Sequence, residues 1–201
     1  MSAVSPVAGL VLAAGSGSRL GTPKAGLELD GERLVDRAVR TLREGGCTPV
    51  LVVLGAVMME VPDAVVVANP DWASGMGSSL RVGLAALPAG RSAVVVALVD
   101  QPGIGPDVVA RLIAAHVAGA RLAVATFGGR RRNPVLLARD TWVEVAELAR
   151  GDSGAREYLD ANPGLVTAVP CDDIANPDDI DTPADLERHR RGNQTNHGRR
   201  P

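Results

Sequence analysis

An α/β architecture built on one mainly parallel sheet follows from three features of this chain. Short apolar runs recur along its 201 residues. Segments of helical period lie between most of them. The first run ends in a loop that holds Gly15, Gly17 and Gly21 together with Arg19 and Lys24. Strands alternating with helices fold as a parallel sheet, and such sheets bind ligands at the carboxyl ends of their strands.

The elements follow in order. Val7–Ala14 is apolar throughout, which suits a central strand covered on both faces. Val50–Leu54, Ala64–Ala68, Ala93–Val99, Leu122–Thr126, Val135–Ala138 and Val166–Val169 read as further strands. Helices are expected at Leu34–Arg43, Met76–Leu87, Pro106–His116, Asp140–Leu148 and Gly154–Leu159. In the first of these, Leu34, Ala38 and Leu42 share one face, and Arg33, Arg37 and Arg40 lie towards another. Pro106 suits a first helical turn and Gly119 a helix exit. Spacing between Leu122 and Val169 is less regular, so a local antiparallel excursion fits there. Thr182 before Pro183 reads as a helix start, with Asp185 supporting the first turn. Residues 1–187 are expected to form one domain with a full-sized core. From Arg188 onward the chain has arginines and no acidic residue, which predicts a solvated basic tail over 188–201.

Composition narrows the function. The chain is 46% hydrophobic and 22% charged, ordinary for a globular protein. Aromatic residues make up only 2%, too few to stack single-stranded bases, and the net charge of −2 provides no global basic field. Nucleic-acid binding is therefore not expected. No apolar run approaches the ~18 residues of a membrane span, and no basic region precedes the first run, so a cytoplasmic protein is expected. Cys47 and Cys171 belong to no C-x-x-C pair and are read as small buried hydrophobes rather than zinc ligands.

Chemistry concentrates in a few places. Glycines at 15, 17 and 21 permit positive φ and close backbone approach, while Arg19 and Lys24 add fixed charge. Backbone N–H groups edged by cations suit a triphosphate. The spacing misses the G-x-G-x-x-G dinucleotide fingerprint by one residue, and no Gly-Lys-Ser/Thr forms a Walker A loop. Asp100 follows the run Ala93–Val99, so it is expected at the same sheet edge as the glycine loop. A carboxylate beside phosphates needs a cation between them, and Mg²⁺ is the natural one; a turn cap with Gln101-Pro102-Gly103 explains Asp100 equally well. Asp179 and Asp181 flank Ile180 and would point the same way if extended, offering a second metal carboxylate. Gly75 and Gly77 open a helix whose first N–H groups, with Ser78 and Ser79, are placed to bind an anion or a base edge, although serine there is also an ordinary cap. Arg130-Arg131-Arg132-Asn133-Pro134 offers guanidiniums to a second anionic substrate, or forms a solvated basic turn.

Taken together, the segments 12–24, 69–80, 100–102, 132–137, 151–156 and 179–185 resemble the MobA-like nucleotidyltransferases. Within that family they resemble the molybdenum cofactor cytidylyltransferases most. The resemblance implies a Rossmann-like nucleotidyltransferase fold, a three-layer sandwich with one mostly parallel mixed sheet. It places the nucleotide over Leu12, Ala13, Ala14, Gly15, Gly17, Arg19 and Lys24, with Ser78 and Ser79 beside it. Relatives that use GTP tend to read Leu-Ala-Gly-Gly, so Ala14 points to the CTP-using branch. The resemblance matches Asp100 and Asp181 to the metal-holding positions. It assigns Gly75, Met76, Arg132, Asn133 and Arg156 to the acceptor, although Arg132 stands where these enzymes commonly have glycine.

The expected reaction is transfer of CMP from CTP to the terminal phosphate of a molybdopterin-type cofactor, with Mg²⁺ and release of pyrophosphate. Lys24, Arg19 and Asp100 are the expected catalytic residues, and a recipient molybdoenzyme is a candidate partner. Three other readings remain: transfer to another phosphorylated acceptor such as a sugar phosphate or phospholactate, with GTP as a possible donor; a non-catalytic cofactor carrier; and, more distantly, a nicotinamide-dependent oxidoreductase.

Overall fold

The computed structural model describes residues 6–197, with side chains through Arg191. In chain order it contains β1 (Ala8–Leu12), β2 (Glu28–Leu29), β3 (Glu32–Arg33), α1 (Leu34–Glu44), β4 (Val50–Leu54), β5 (Val65–Ala68), α2 (Met76–Ala86) and β6 (Ala93–Leu98). There follow α3 (Pro106–Val117), β7 (Leu122–Phe127), β8 (Arg130–Ala138), α4 (Trp142–Leu148), α5 (Arg156–Ala161), β9 (Val166–Pro170) and α6 (Pro183–His197).

The main sheet has seven strands in the order β5-β4-β1-β6-β8-β7-β9. β8 pairs antiparallel with both β6 and β7, and the remaining pairings are parallel. The expected antiparallel excursion is thus a single strand. Alternation along β1 sends Ala8, Leu10 and Leu12 to one face and Val11 and Ala13 to the other. The first set packs with Leu80 and Leu84 of α2, Trp142 and Val145 of α4, and Tyr158 and Leu159 of α5. The second packs with Leu34, Val39 and Leu42 of α1 and Val108 and Leu112 of α3. Helices therefore cover both faces, giving three layers, and the central strands are buried on both sides as their unbroken apolar runs require.

Most boundaries fall within a few residues of those expected. β8 begins at Arg130, well ahead of Val135, so the arginine-rich segment is strand rather than turn. The β2–β3 hairpin was not foreseen; Asp30 and Gly31 take φ of 55° and 81°, the paired positive angles of a type I′ turn. α6 continues to His197 across residues expected to form the basic tail, while residues 198–201 of that tail lie outside the described residues. Among the described residues no helix is long and apolar enough to cross a membrane.

Candidate active site

β1 and β6 deliver their carboxyl ends to the same edge, where a cavity of about 520 Å³ opens. Leu12, Ala13, Ala14, Gly15, Gly17, Arg19 and Lys24 line it, as do Gly75, Met76, Ser79, Asp100 and Asp181. The loop after β1 folds back on itself, with the amides of Leu20 and Gly21 donating to the Gly17 carbonyl at 2.9 Å each. Gly17 has φ of 63°, and a Cβ there would run into the Thr22 carbonyl oxygen. Among the described residues, the N–H groups of Gly15 through Arg19 donate to no protein acceptor. Free amides in a concave loop are an anion-binding arrangement.

At the mouth of this loop Lys24 Nζ lies 2.7 Å from Asp100 Oδ2 and 2.6 Å from Asp181 Oδ1. Arg19 Nη1 reaches Asp181 Oδ2 at 3.4 Å. Burial opposes charge on Lys24, yet the attraction and hydrogen bonds of Asp100 and Asp181 outweigh it and hold the ammonium's pKa above the usual lysine value. Local folding explains how residues so distant in sequence meet. The Ile180 amide donates to the Asp100 carbonyl at 2.9 Å, fixing the 179–181 segment on the end of β6. Asp185 Oδ2 then accepts from the amides of Asp181 and Thr182 and from the Thr182 hydroxyl, at 2.8–3.1 Å. Those bonds draw the Asp185 carboxyl below the usual range. This is the expected start of α6, and it holds Asp181 at the site.

Asp100 Oδ1 is buried and has no hydrogen-bond partner. A buried oxygen without a partner, beside a second carboxylate already gathered around one cation, suits a hard divalent ion such as Mg²⁺. Among the described residues no three His, Cys, Asp or Glu side chains cluster closely enough to hold a metal. Asp100 and Asp181 would share such an ion with substrate oxygens and water, which is how Mg²⁺ is commonly bound.

The start of α2 differs from the expectation of free helix amides. Gly77 N–H donates to the Gly151 carbonyl at 2.7 Å, and Met76 N–H lies 3.4 Å from Asp152 Oδ1. Ser78 stands apart from the cavity lining. Its hydroxyl faces the Asp71 and Gly75 carbonyls and accepts from the buried Asn69 amide, which also reaches Ser79 Oγ at 3.0 Å. Ser78 thus braces the loop that carries Gly75 and Met76, while Ser79 keeps a place on the cavity wall.

A second cavity of about 300 Å³ adjoins the first and shares Leu12, Met76, Leu98 and Asp152 with it. Arg132 and Asn133 reach it from the start of β8, and Arg156 from the start of α5. The two groups assigned by sequence therefore lie in neighbouring halves of one crevice. Trp72 and Asp152 in the first cavity and Gln101 in the second also line the crevice without having been given a role, and Asp179, expected to offer a metal carboxylate, lines the second. Asp179 does not join Lys24; it accepts from Gln101 Nε2 at 2.8 Å. Burial, opposed by that bond and by the Arg132 charge and reinforced by Asp100 and Asp181, pushes its carboxyl above the usual range. Trp72 had a signal, since it is one of only two tryptophans and sits inside the motif at 69–80.

With this geometry in place the relatives can be compared. The profile of the MobA-like NTP transferase domain matches residues 9–166. The chain belongs to this family. A nicotine blue oxidoreductase of Paenarthrobacter nicotinovorans is 40% identical over 90% of this chain and 95% of its own. A molybdenum cofactor guanylyltransferase of Rhizobium leguminosarum is 36% identical, covering 77% of this chain and 75% of its own. Among solved structures, Rv0371c of Mycobacterium tuberculosis superposes with a TM-score of 0.80 at 26% identity, over 94% of this chain and all of that one. The MobA-like fold seen here is thus an α/β nucleotidyltransferase fold with a seven-stranded, mostly parallel mixed sheet.

Proposed function

We propose that this MobA-like protein moves CMP from CTP to the terminal phosphate of a molybdopterin-type cofactor and releases pyrophosphate. The observation that carries the reading is Lys24 held between Asp100 and Asp181 at the mouth of a loop of free amides. Ala14, in place of the first glycine of the GTP-using signature, supports CTP as donor. The relative named for guanylyl transfer to the molybdenum cofactor supports the acceptor class. A structure of Rv0371c in complex with manganese supports dependence on a divalent cation.

In this reading an oxygen of the acceptor phosphate attacks the α-phosphorus of CTP, and the bond from that phosphorus to the pyrophosphate oxygen breaks. The acceptor oxygen is already anionic, so no general base is needed. The amides of Gly15 through Arg19 and the Arg19 guanidinium hold the β- and γ-phosphates. Lys24 balances Asp100 and Asp181 in the free protein and turns its charge to the departing pyrophosphate when nucleotide enters. Arg132, Asn133 and Arg156 hold the acceptor in the second cavity, with Gly75 and Met76 between the two ligands. Mg²⁺ held by Asp100 and Asp181 would supply Lewis-acid charge neutralisation at the α-phosphate. The remaining contribution is positioning of two bound molecules.

The test is pyrophosphate release from each of the four common nucleoside triphosphates with Mg²⁺, with and without the cofactor. Release that requires both CTP and the cofactor supports the proposal. Release with another phosphorylated acceptor instead moves the assignment to that acceptor, and cofactor binding without turnover marks a carrier that could serve a recipient molybdoenzyme. The 40%-identical relative named as an oxidoreductase favours a second reading, reduction by a nicotinamide cofactor. Quenching of NAD(P)H fluorescence on titration with the protein would support that reading instead.

A further inference from the structure

The second cavity holds a carboxylate with no role in the reaction so far. Asp179 Oδ1 accepts from Gln101 Nε2 at 2.8 Å, and among the described residues Oδ2 makes no hydrogen bond. Gln101 is itself only 7% exposed, and its Nε2 also faces the Pro177 carbonyl at 3.4 Å. Both neighbours are acceptors, so the amide presents its NH₂ to them and leaves Oε1 without a partner. One oxygen of Asp179 is thereby fixed in direction while the other stays open. Asp179 is only partly buried, and the protein leaves its Oδ2 to solvent or to whatever enters the cavity.

The surroundings indicate what meets that oxygen. The Asp179 side chain turns to Gln101 rather than to Lys24, on which Asp100 and Asp181 converge. Val124, Val135 and Leu98 form an apolar wall of the same cavity. Arg132 and Arg156 line it too, and among the described residues neither has an ion pair or a hydrogen-bonded side chain. The volume of about 300 Å³ sits at the small end of ligand pockets, the size of a fused ring system rather than a long chain.

We propose that Asp179, aimed by Gln101, reads the hydrogen-bond-donor edge of a planar heterocycle in this cavity while Arg132 and Arg156 hold that molecule's anionic group; the inference rests on the acceptor site proposed above. The ligand class is a fused ring with a ring N–H beside an amino group, carrying a phosphate. Parallel N–H donors match a carboxylate in the way a guanidinium does. Asp179 sets specificity by touching the ring, and Gln101 is a positioning residue that acts through it. Two ligand sources share this edge, a pterin and a guanine base.

Fluorescence titration separates the possibilities without turnover. Pterin is compared with lumazine, which has an oxo group in place of the amino group, and with guanosine monophosphate. Wild type should bind pterin roughly ten- to a hundred-fold tighter than lumazine, the range for hydrogen bonds to a charged group. Asp179→Asn should abolish that preference, and so should Gln101→Leu, with circular dichroism and Tm reporting that each variant is folded. A purely structural role would weaken both pteridines equally and keep their ratio. Equal binding of pterin and lumazine by wild type, or a ratio unchanged in folded Asp179→Asn, overturns the proposal. Preference for guanosine monophosphate over pterin, lost in Asp179→Asn, keeps the edge reader and refutes the molybdopterin acceptor.

Discussion

Lys24 Nζ stands 2.7 Å from Asp100 Oδ2, and the same ammonium reaches Asp181 at 2.6 Å. The lysine and Asp100 are largely sheltered, with side-chain exposures of 16% and 21%, whereas Asp181 is 40% exposed. One cation thus keeps two acids together before any ligand arrives. Removing it leaves like charges facing each other at partly buried positions, where water screens them poorly.

Lys24→Met is therefore expected to lower Tm in metal-free buffer, with much of the loss recovered by added Mg²⁺. Nucleotidyl transfer should fall by about 10²–10³, the usual effect of deleting one electrostatic contact to the transition state. Differential scanning fluorimetry with and without Mg²⁺, paired with pyrophosphate release, checks both parts. A Tm that ignores Mg²⁺ in the variant would contradict the pairing of the two acids around a cation.

Gly17→Ala tests the loop itself. The backbone there has φ of 63°, and the added methyl would meet the Thr22 carbonyl. The left-handed conformation alone costs a non-glycine residue about 1–2 kcal/mol. Triphosphate affinity measured by calorimetry should fall at least ten-fold, roughly the equivalent of 1.4 kcal/mol. Binding at wild-type strength would show that the amides of this loop do not hold phosphate.

Tyr158 is the only tyrosine, so its titration can be followed directly by tyrosinate absorbance. Burial first, and then its hydrogen bond to Glu144 at 2.6 Å, push the phenol up to about 12. The folded pKa lies above the unfolded value of about 10, so this group's stabilisation is complete below that pH and is lost as pH rises through about 12. Glu144→Gln removes the charged acceptor and should shift the absorbance midpoint downward. An unchanged midpoint would assign the whole effect to burial.

Cys47 packs in the core beneath α1, and burial raises its thiol to about 12. The thiolate is the reactive form. A thiol reagent at neutral pH should modify Cys47 only after denaturant unfolds the chain, as mass spectrometry of labelled peptides can show. Labelling of native protein at Cys47 would mean that this part of the core opens readily.

Strands were legible where apolar runs were unbroken, because burial on both faces leaves no room for polar residues. The start of β8 was not. Arg130, Arg131 and Arg132 look like a turn by composition, yet Arg130 and Arg131 pair with the end of β7, with Arg132 at the register shift that follows, at an exposed corner of the sheet where long charged side chains reach solvent. The β2–β3 hairpin had a readable Asp-Gly signal between strands too short to show alternation. At the site, Lys24, Arg19, Asp100 and Asp181 were legible as charge that needed balancing. Ser78 was ambiguous in sequence because a serine hydroxyl serves a loop or a ligand equally well; in the fold its hydroxyl meets Asn69 and the Asp71 and Gly75 carbonyls. Asp179 was expected beside Asp181 from their spacing, but its pairing with Gln101 was hidden because it spans 78 residues.

The lone reversed strand has a consequence for how such a scaffold diversifies. Because β8 runs against its neighbours, its first residues, rather than its last, arrive at the crevice. Arg132 and Asn133 are thus anchored to a framework element by the buried stretch Val135–Ala138 while remaining remote in sequence from the glycine loop. Under the proposed function, new acceptor preferences would arise by exchanging a few side chains at that tip, leaving the glycine loop untouched.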